Sequence, residues 1–547
     1  MSGIINKWDR EAEVVVIGSG GSGLTAAIVA HDHGAKVAVI ERSDKVGGET
    51  ILSGGMIWIP LNHHQGEIGI SDSRDEAVAY VKRIAAGRMP DALIETYIDS
   101  GPKMVHHIEE RTPVKFKPSL FPDYHSELYG GKPGGRTLEP ELFNTKQLGD
   151  WAKKLRPAPT TLGAPMTLGE LKGWNGFINP QNIPFDLIRQ RMGQGLVGMG
   201  VALIAALLKG CLDRGIEIVL ETRGRRLVIE DGRIVGLEGE QKGQRFSIKA
   251  TKGVILACGG FEWNEDLKVR FLSGEFIRPL SPPFSEGDGL NMAMQARAKL
   301  ACMSDAWWFP VIQVPGEEYE GRPMSRGGVY TRTLPHSIVV NRKGRRFTDE
   351  ACNYNDLGKA FLTFDPVAYD YPNMPAWIIF DQNHKDKYSL EGMMPGDPAP
   401  DWVTRADTLT ELARKVGIDP GGLEATVERF NKFAMEGVDG DFHRGENPHD
   451  IWHGDPDHKP NPNLGPVEKA PFYSLQIYLG ALGTKGGPMV NTQGQVLSIF
   501  DEVIPGLYAA GNVMPPVTGP GYSGAGCSIG SGMTWGYIGG GHAAMQK

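Results

Sequence analysis

The stretch from Glu13 to Glu41, EVVVIGSGGSGLTAAIVAHDHGAKVAVIE, restricts the fold of this chain more than any other. Val14 to Ile17 is a short apolar, β-branched run, which predicts a buried parallel strand. Gly18, Gly20 and Gly23 follow it in G-x-G-x-x-G spacing. A helix with a small-residue face (Ala26, Ala27, Ala30) comes next, Gly34 ends it, and Lys36 to Ile40 supplies a second strand. In such a unit Gly18 permits the tight turn, Gly20 and Gly21 bring backbone to a pyrophosphate, and Gly23 lets helix and strand pack closely. The helix N-terminus offers the phosphates free N–H groups and the positive end of its dipole. Glu41 closes the second strand 18 positions after Gly23, where an acid accepts hydrogen bonds from ribose hydroxyls, with Arg42 beside it. With 73 glycines in 547 residues the spacing alone would be weak, so the inference rests on the full strand, turn, helix, strand and acid order. It specifies a dinucleotide and leaves NAD and FAD open.

The length predicts two or three domains. A net charge of −8 leaves no basic face for phosphate neutralisation, so nucleic acid is excluded as a partner. The basic cluster Arg342 to Arg346 follows an apolar run and is read as a solvated hairpin turn. Five scattered cysteines without a C-x-x-C pair fit neither a disulfide framework nor a thiolate metal site. They indicate a reducing compartment, and with no signal-like apolar core near the N-terminus a cytoplasmic protein is expected. His106 and His107, without a third ligand in reach of the sequence, are read as structural, so no metal is expected. Leu196 to Leu208 is too short to span a bilayer; it reads as a buried helix, with a non-integral membrane contact as the second reading.

Along the chain, Ser43 to Pro60 carries the pairs Gly47-Gly48 and Gly54-Gly55, a texture expected where backbone lies against a flat ligand. Gly48, Glu49, Thr50, Ser53, Gly54 and Gly55 are therefore candidate cofactor contacts. Ser73 to Arg111 has helical periodicity and is read as scaffold, while Trp151 to Gln190 is irregular. Ile216 to Gly239 predicts short strands around an Asp231-Gly232 hairpin. Lys252 to Phe261 predicts a second buried strand whose terminal Gly259 passes the cofactor. From Arg278 to roughly Gly483 the texture changes to aromatic pairs and hairpins, read as an inserted domain. Pro505 to Asn512 then forms a late strand ending in Gly511 and Asn512, followed by a glycine-rich loop and a final helix with Ser528, read as its N-cap, and Ile529. A late strand and helix that bring polar groups to a flavin suit a two-part FAD protein. A nicotinamide dehydrogenase has no need of them.

Taken with GGET and LSGG after the first unit, PDY at Tyr124, PHSIVVNRKGRRFTDE leading to Tyr354, APFY to LGTKGG, and GLYAAGN to YSGAGCSIG, the chain resembles the 3-ketosteroid Δ1-dehydrogenases of the fumarate reductase-like flavoprotein superfamily. The resemblance runs nearly end to end, and its specific part is the tyrosine set. It implies an α/β fold: a Rossmann-like FAD-binding domain in two segments, 1–280 (with a helical insertion about 60–200) and 484–547, and an inserted α+β cap at 281–483. It implies non-covalent FAD, a steroid substrate, and a quinone or other electron acceptor. The reaction implied is 1,2-desaturation of 4-ene-3-ketosteroids, with the C2 proton passing to a tyrosine and the C1 hydride to flavin N5. Carried over by motif, Tyr522 and the Gly526 N–H hold the C3 ketone, Tyr354 takes the C2 proton and Tyr124 supports it. YSGAG in place of a loop with proline after the tyrosine, and LPHS in place of LPGS, leave 4,5-desaturation as an alternative.

The chemistry has its own logic. Hydride leaves C1 only as the ketone becomes enolate-like, and one donor at a developing oxyanion is typically worth about 3 kcal/mol. A dicarboxylate-reducing relative would need a histidine before TKGG and an arginine in the final loop; Leu482-Gly483 and Cys527-Ser528 stand there instead. Trp307, Trp308 and Phe309 also favour an apolar substrate. A flavin-holding subunit without turnover is the reading of another class, and under it three placed tyrosines would be coincidence.

Overall fold

Four consecutive valine and isoleucine side chains of β1 (Arg10–Ile17) are buried, because the strand lies at the centre of a sheet covered on both faces. The computed structural model describes residues 7–273 and 277–547. β1 leads through α1 (Gly21–Asp32) to β2 (Val37–Ile40), and β1 and β2 pair in parallel. The helical segment that follows includes α2 (Arg74–Ala85), α3 (Asp91–Arg111) and the short α4 (Leu168–Gly173), and α5 (Met199–Asp213) closes it. α5 is buried over most of its length, so the apolar run near Leu196 forms core.

The chain then returns to the sheet. β3 (Glu217–Val219) adds beyond β2, β4 (Thr222–Glu230) and β5 (Arg233–Gln241) form a hairpin, and β6 (Gln244–Leu256) lies against β1. Asp231 and Gly232 both have positive φ, as that two-residue turn requires. β6 starts earlier than the apolar run beginning at Lys252, because Gln244–Ser247 pair with β5 alone and the parallel pairing with β1 begins at Ile248.

An inserted unit follows. Its seven-stranded sheet includes β7 (Ala306–Ile312), β8 (Ser337–Asn341), β9 (Ala376–Phe380) and β10 (Phe472–Thr484), with β10 between β7 and β9. α6 (Tyr354–Phe361) covers one face with Leu357 and Phe361 against Trp308. α7 (Leu409–Val416) and α8 (Pro420–Glu436) cover the other, packing Leu412, Leu423 and Phe430 on Ile338 and Ile379. The basic cluster forms the expected turn, with Arg342, Lys343 and Arg345 exposed, and departs from that reading at Arg346. Arg346 is buried in a paired lattice with Glu350 and Asp439 at 2.7 Å, which Arg444 joins at 3.3 Å from Glu350. A buried guanidinium needs such partners, and sequence separation hid Asp439 and Arg444.

α9 (Pro448–Trp452) precedes β10, after which β11 (Gln495–Leu497) and β12 (Val503–Ala509) complete the first sheet beside β6. Its main path runs β11-β12-β6-β1-β2-β3, with β5 and β4 extending from β6. The final helix, α10 (Cys527–Ala544), lies on α1. Gly536 and Gly540 make that approach possible: a Cβ on Gly540 would sit 2.5 Å from the Ala26 carbonyl oxygen. The end of the chain is thereby packed onto its first helix. No helix among the described residues is long and apolar enough to cross a membrane.

Candidate active site

A cavity of about 800 Å³ runs from the C-terminal ends of β1 and β2 to the inserted unit. Ligands bind in parallel sheets at that edge, because strand ends and helix N-termini point their unpaired backbone groups there. The amides of Gly20 and Ser22 at the start of α1, and of Ser528 and Ile529 at the start of α10, have no acceptor among the described residues. These two helix starts form a cradle suited to anionic and carbonyl oxygens. All the expected cofactor residues line the cavity except Gly23. Gly23 is a packing residue: a Cβ there would meet the Gly18 carbonyl oxygen at 2.0 Å.

Local bonds hold the cradle. The Glu41 carboxylate accepts from the Ser19 hydroxyl at 2.6 Å and from the Ser43 amide at 2.9 Å, so it is held facing the turn. Arg42 pairs with Glu286 at 3.0 Å, and the Thr50 hydroxyl accepts from the Gly21 amide at 3.2 Å. The Asn512 side-chain amide donates to Glu49 at 2.8 Å and accepts from the Trp307 indole at 3.0 Å. Burial and the nearby Glu262 push the Glu49 carboxyl well above its ordinary range. Ser528 corrects its reading: it sits inside the first turn of α10, and the cap is Gly526 with φ 90°. Only the left-handed backbone at Gly526 turns the loop into the helix here, and a Cβ would meet Met56 backbone at 2.4 Å.

At the other end the three expected tyrosines converge. Tyr124 and Tyr354, 230 positions apart, share a hydrogen bond of 2.5 Å between their hydroxyls. The Tyr522 ring stacks on Tyr124 at 5.1 Å and lies 5.5 Å from Tyr354. All three line the cavity with Gly526, whose amide has no acceptor among the described residues. Burial raises all three phenols well above 10, so they are neutral at rest. Tyr354 opens α6, capped by Asn353, which places it in the positive field of a helix start. That field is typically worth about 0.3–1 kcal/mol, less than desolvation of a phenolate costs, so burial wins and Tyr354 keeps its proton at rest.

The aromatic run expected beside the substrate divides, and two polar residues near it, Lys485 and His125, were not singled out from sequence. Phe309 lies 4.2 Å from the Tyr354 ring and Trp307 4.7 Å from Tyr522, whereas Trp308 is buried in the inserted unit. Lys485, within the TKGG run, donates to the carbonyls of Pro520 and Gly521 at 2.9 and 2.8 Å, fixing the Tyr522 loop from below. Burial and Lys359 lower its ammonium to about 7. His125, directly after Tyr124, meets Asp356 of α6 at 2.8 Å. No periodicity marks these pairs, which are long-range. Elsewhere, His107 bonds Asp32 at 3.0 Å. His63 and His64, with Glu109 3.0 Å from each, form a hydrogen-bonded cluster beside His106 that the spacing did not reveal.

A two-part nucleotide cradle joined to a tyrosine cluster defines a flavoprotein of the kind that acts on carbon–carbon bonds next to a ketone. The chain belongs to the FAD binding domain family, matched over residues 13–529, and within it to the 3-ketosteroid dehydrogenase group. It is 40% identical to the 4-oxocyclohexanecarboxylate 2-dehydrogenase of Sinomonas cyclohexanicum, over 98% of this chain and 93% of that one. It is 38% identical to the 3-oxosteroid 1-dehydrogenase of Mycolicibacterium smegmatis, over 97% and 96%. The crystal structure of 3-ketosteroid Δ1-dehydrogenase from Sterolibacterium denitrificans, in complex with 1,4-androstadiene-3,17-dione, superposes with a TM-score of 0.91 at 35% identity, covering 98% and 99% of the two chains. The protein is an α/β FAD-binding flavoprotein with an inserted cap, and an oxidoreductase acting on CH–CH bonds.

Proposed function

We propose that this protein desaturates 4-ene-3-ketosteroids between C1 and C2. The observation that carries the reading is the short Tyr124–Tyr354 hydrogen bond beside Tyr522 and the free Gly526 amide, in one cavity with the dinucleotide cradle. The Tyr522 hydroxyl and Gly526 amide polarise the C3 ketone, and two such donors act together on the oxyanion that develops there. Tyr354, neutral at rest, first gives up its hydroxyl proton to solvent; as a phenolate held by the Tyr124 hydroxyl, a charged-group hydrogen bond worth about 1.5–3 kcal/mol, it takes the C2 proton. FAD, held without a covalent bond by the cradle residues, supplies the acceptor for the hydride that leaves C1. Phe309 and Phe121, which line the cavity, exclude water from the reacting carbons. In this reading residues 1–280 and 484–547 carry the cofactor, 281–483 close over the substrate, and a quinone or similar acceptor reoxidises the protein, which is cytoplasmic.

A second reading is desaturation of a smaller ring ketone bearing a carboxylate. It is favoured by the relative at 40% identity and by a cation in the cavity, Lys172.

The test is anaerobic mixing of the yellow holoprotein with androst-4-ene-3,17-dione, with succinate in parallel. Bleaching by the steroid with formation of the 1,4-diene supports the reading. Bleaching by succinate alone, or by neither, overturns it.

A further inference from the structure

Five cationic side chains line the cavity, and four are committed to carboxylates. Arg42 and Arg223 pair with Glu286 at 3.0 and 2.8 Å, Arg156 pairs with Glu320, and Arg326 holds Glu317 through its Nε at 2.8 Å. Lys172, in the last turn of α4, has no acidic partner within ion-pair distance among the described residues. Its Nζ donates one hydrogen bond, to the Trp452 carbonyl at the end of α9, and lies 5.0 Å from the Trp452 ring. An ammonium has three donors, so two are left over. The acid whose charge acts on it, Asp455, is already held by Lys387 at 2.6 Å and Tyr388 at 2.8 Å. His453 beside it is kept neutral by burial. Burial lowers the Lys172 ammonium to about 8, which an arriving anion would offset.

Its position relative to the tyrosines is set by an aromatic wall. Tyr124 lies 6.2 Å from Phe121, Phe121 5.4 Å from Trp452, and the Lys172 Nζ 5.0 Å from the Trp452 ring. A ring system whose ketone meets Tyr522 and Gly526 would run along this wall.

We infer that Lys172 is a carboxylate subsite, so that the preferred substrate is a ring ketone with an acidic group on the side remote from its carbonyl. The inference rests on the proposed α,β-desaturation of a ring ketone at the tyrosine cluster. A steroid acid and a monocyclic keto acid present the same chemistry to Lys172.

The experiment compares wild-type, Lys172→Met and Lys172→Arg holoproteins on androst-4-ene-3,17-dione, 3-oxoandrost-4-ene-17β-carboxylate and 4-oxocyclohexanecarboxylate. Dissociation constants come from perturbation of the flavin spectrum, which needs no turnover, and KM and kcat from dye-linked assays. The expected result is that Lys172→Met weakens binding of a carboxylate ligand at least tenfold more than binding of the neutral steroid, with the loss in KM, and that Lys172→Arg recovers it. Equal losses on neutral and acidic ligands would reduce Lys172 to a fastener of α9 and overturn the inference. No loss on either acid overturns it as well. If only the monocyclic acid binds and bleaches the flavin, the subsite stands while the steroid reading falls. Selective loss on the steroid acid upholds both.

Discussion

Replacing Asp356 with asparagine should destabilise the protein at pH 6 and much less at pH 9.5. Burial opposes charge on His125, but hydrogen bonds to Asp356 at 2.8 Å and Glu127 at 3.0 Å outweigh it and raise the imidazole to about 9. Against an ordinary value near 6.5, the gap corresponds to about 3 kcal/mol. That is an upper figure, because 28% of the imidazole is exposed. A folded-state pKa above the unfolded one means the contribution is fully present below about pH 6.5 and disappears as pH rises through about 9. Burial raises and His125 more strongly lowers the Asp356 carboxyl; that is the same contact, counted once. With about 2.1 cal/mol/K of unfolding entropy per residue, 3 kcal/mol corresponds to roughly 3 °C for a chain of this size. Because Glu127 stays and keeps part of the shift, thermal unfolding of FAD-saturated protein, followed by tryptophan fluorescence, should show Asp356→Asn about 1–3 °C below wild type at pH 6 and less than about 1 °C below at pH 9.5. An equal drop at both pH values would mean that Asp356 acts through its bonds to Asn353 and the α6 N-terminus, and the linkage argument would fail.

The catalytic assignments have their own consequences. Tyr522→Phe and Tyr354→Phe should each retain bound flavin and lower steroid turnover by about a hundredfold, and near-full rates in either would remove that residue from the chemistry. Because burial holds Tyr354 neutral at rest, kcat/KM should climb with pH from 7 towards 9, and Tyr354→Phe should flatten the climb; a bell centred on neutrality would contradict a buried phenolic base. Gly526→Ala forces a side chain into Met56 backbone at a positive φ, so both melting temperature and turnover should fall. Unchanged values for both would show that the loop relaxes freely.

How much was legible beforehand depended on the range of the interaction. The βαβ unit at Glu13–Glu41, the Asp231-Gly232 hairpin and the buried α5 appear in the structure where local pattern placed them, because turn chemistry and apolar periodicity act over a few residues. β6 was only half legible, since its first half owes its extension to pairing with β5. Ser528 was misplaced because N-cap preference favours serine locally, while close contact with Met56 admits only glycine at the start of α10.

The sequence by itself determined a dinucleotide fold and, through the late return of the chain, an FAD cofactor, and by motif likeness it nominated three tyrosines and one glycine that line one cavity. Only the tertiary structure decided that Tyr124 and Tyr354 share a 2.5 Å hydrogen bond, that Arg346 is buried rather than solvated, and that Lys172 lines the cavity with no acidic partner among the described residues. These are contacts between segments separated by tens to hundreds of residues. Their partners are chosen by packing of the cap on the sheet, and no local pattern of residue types encodes that choice.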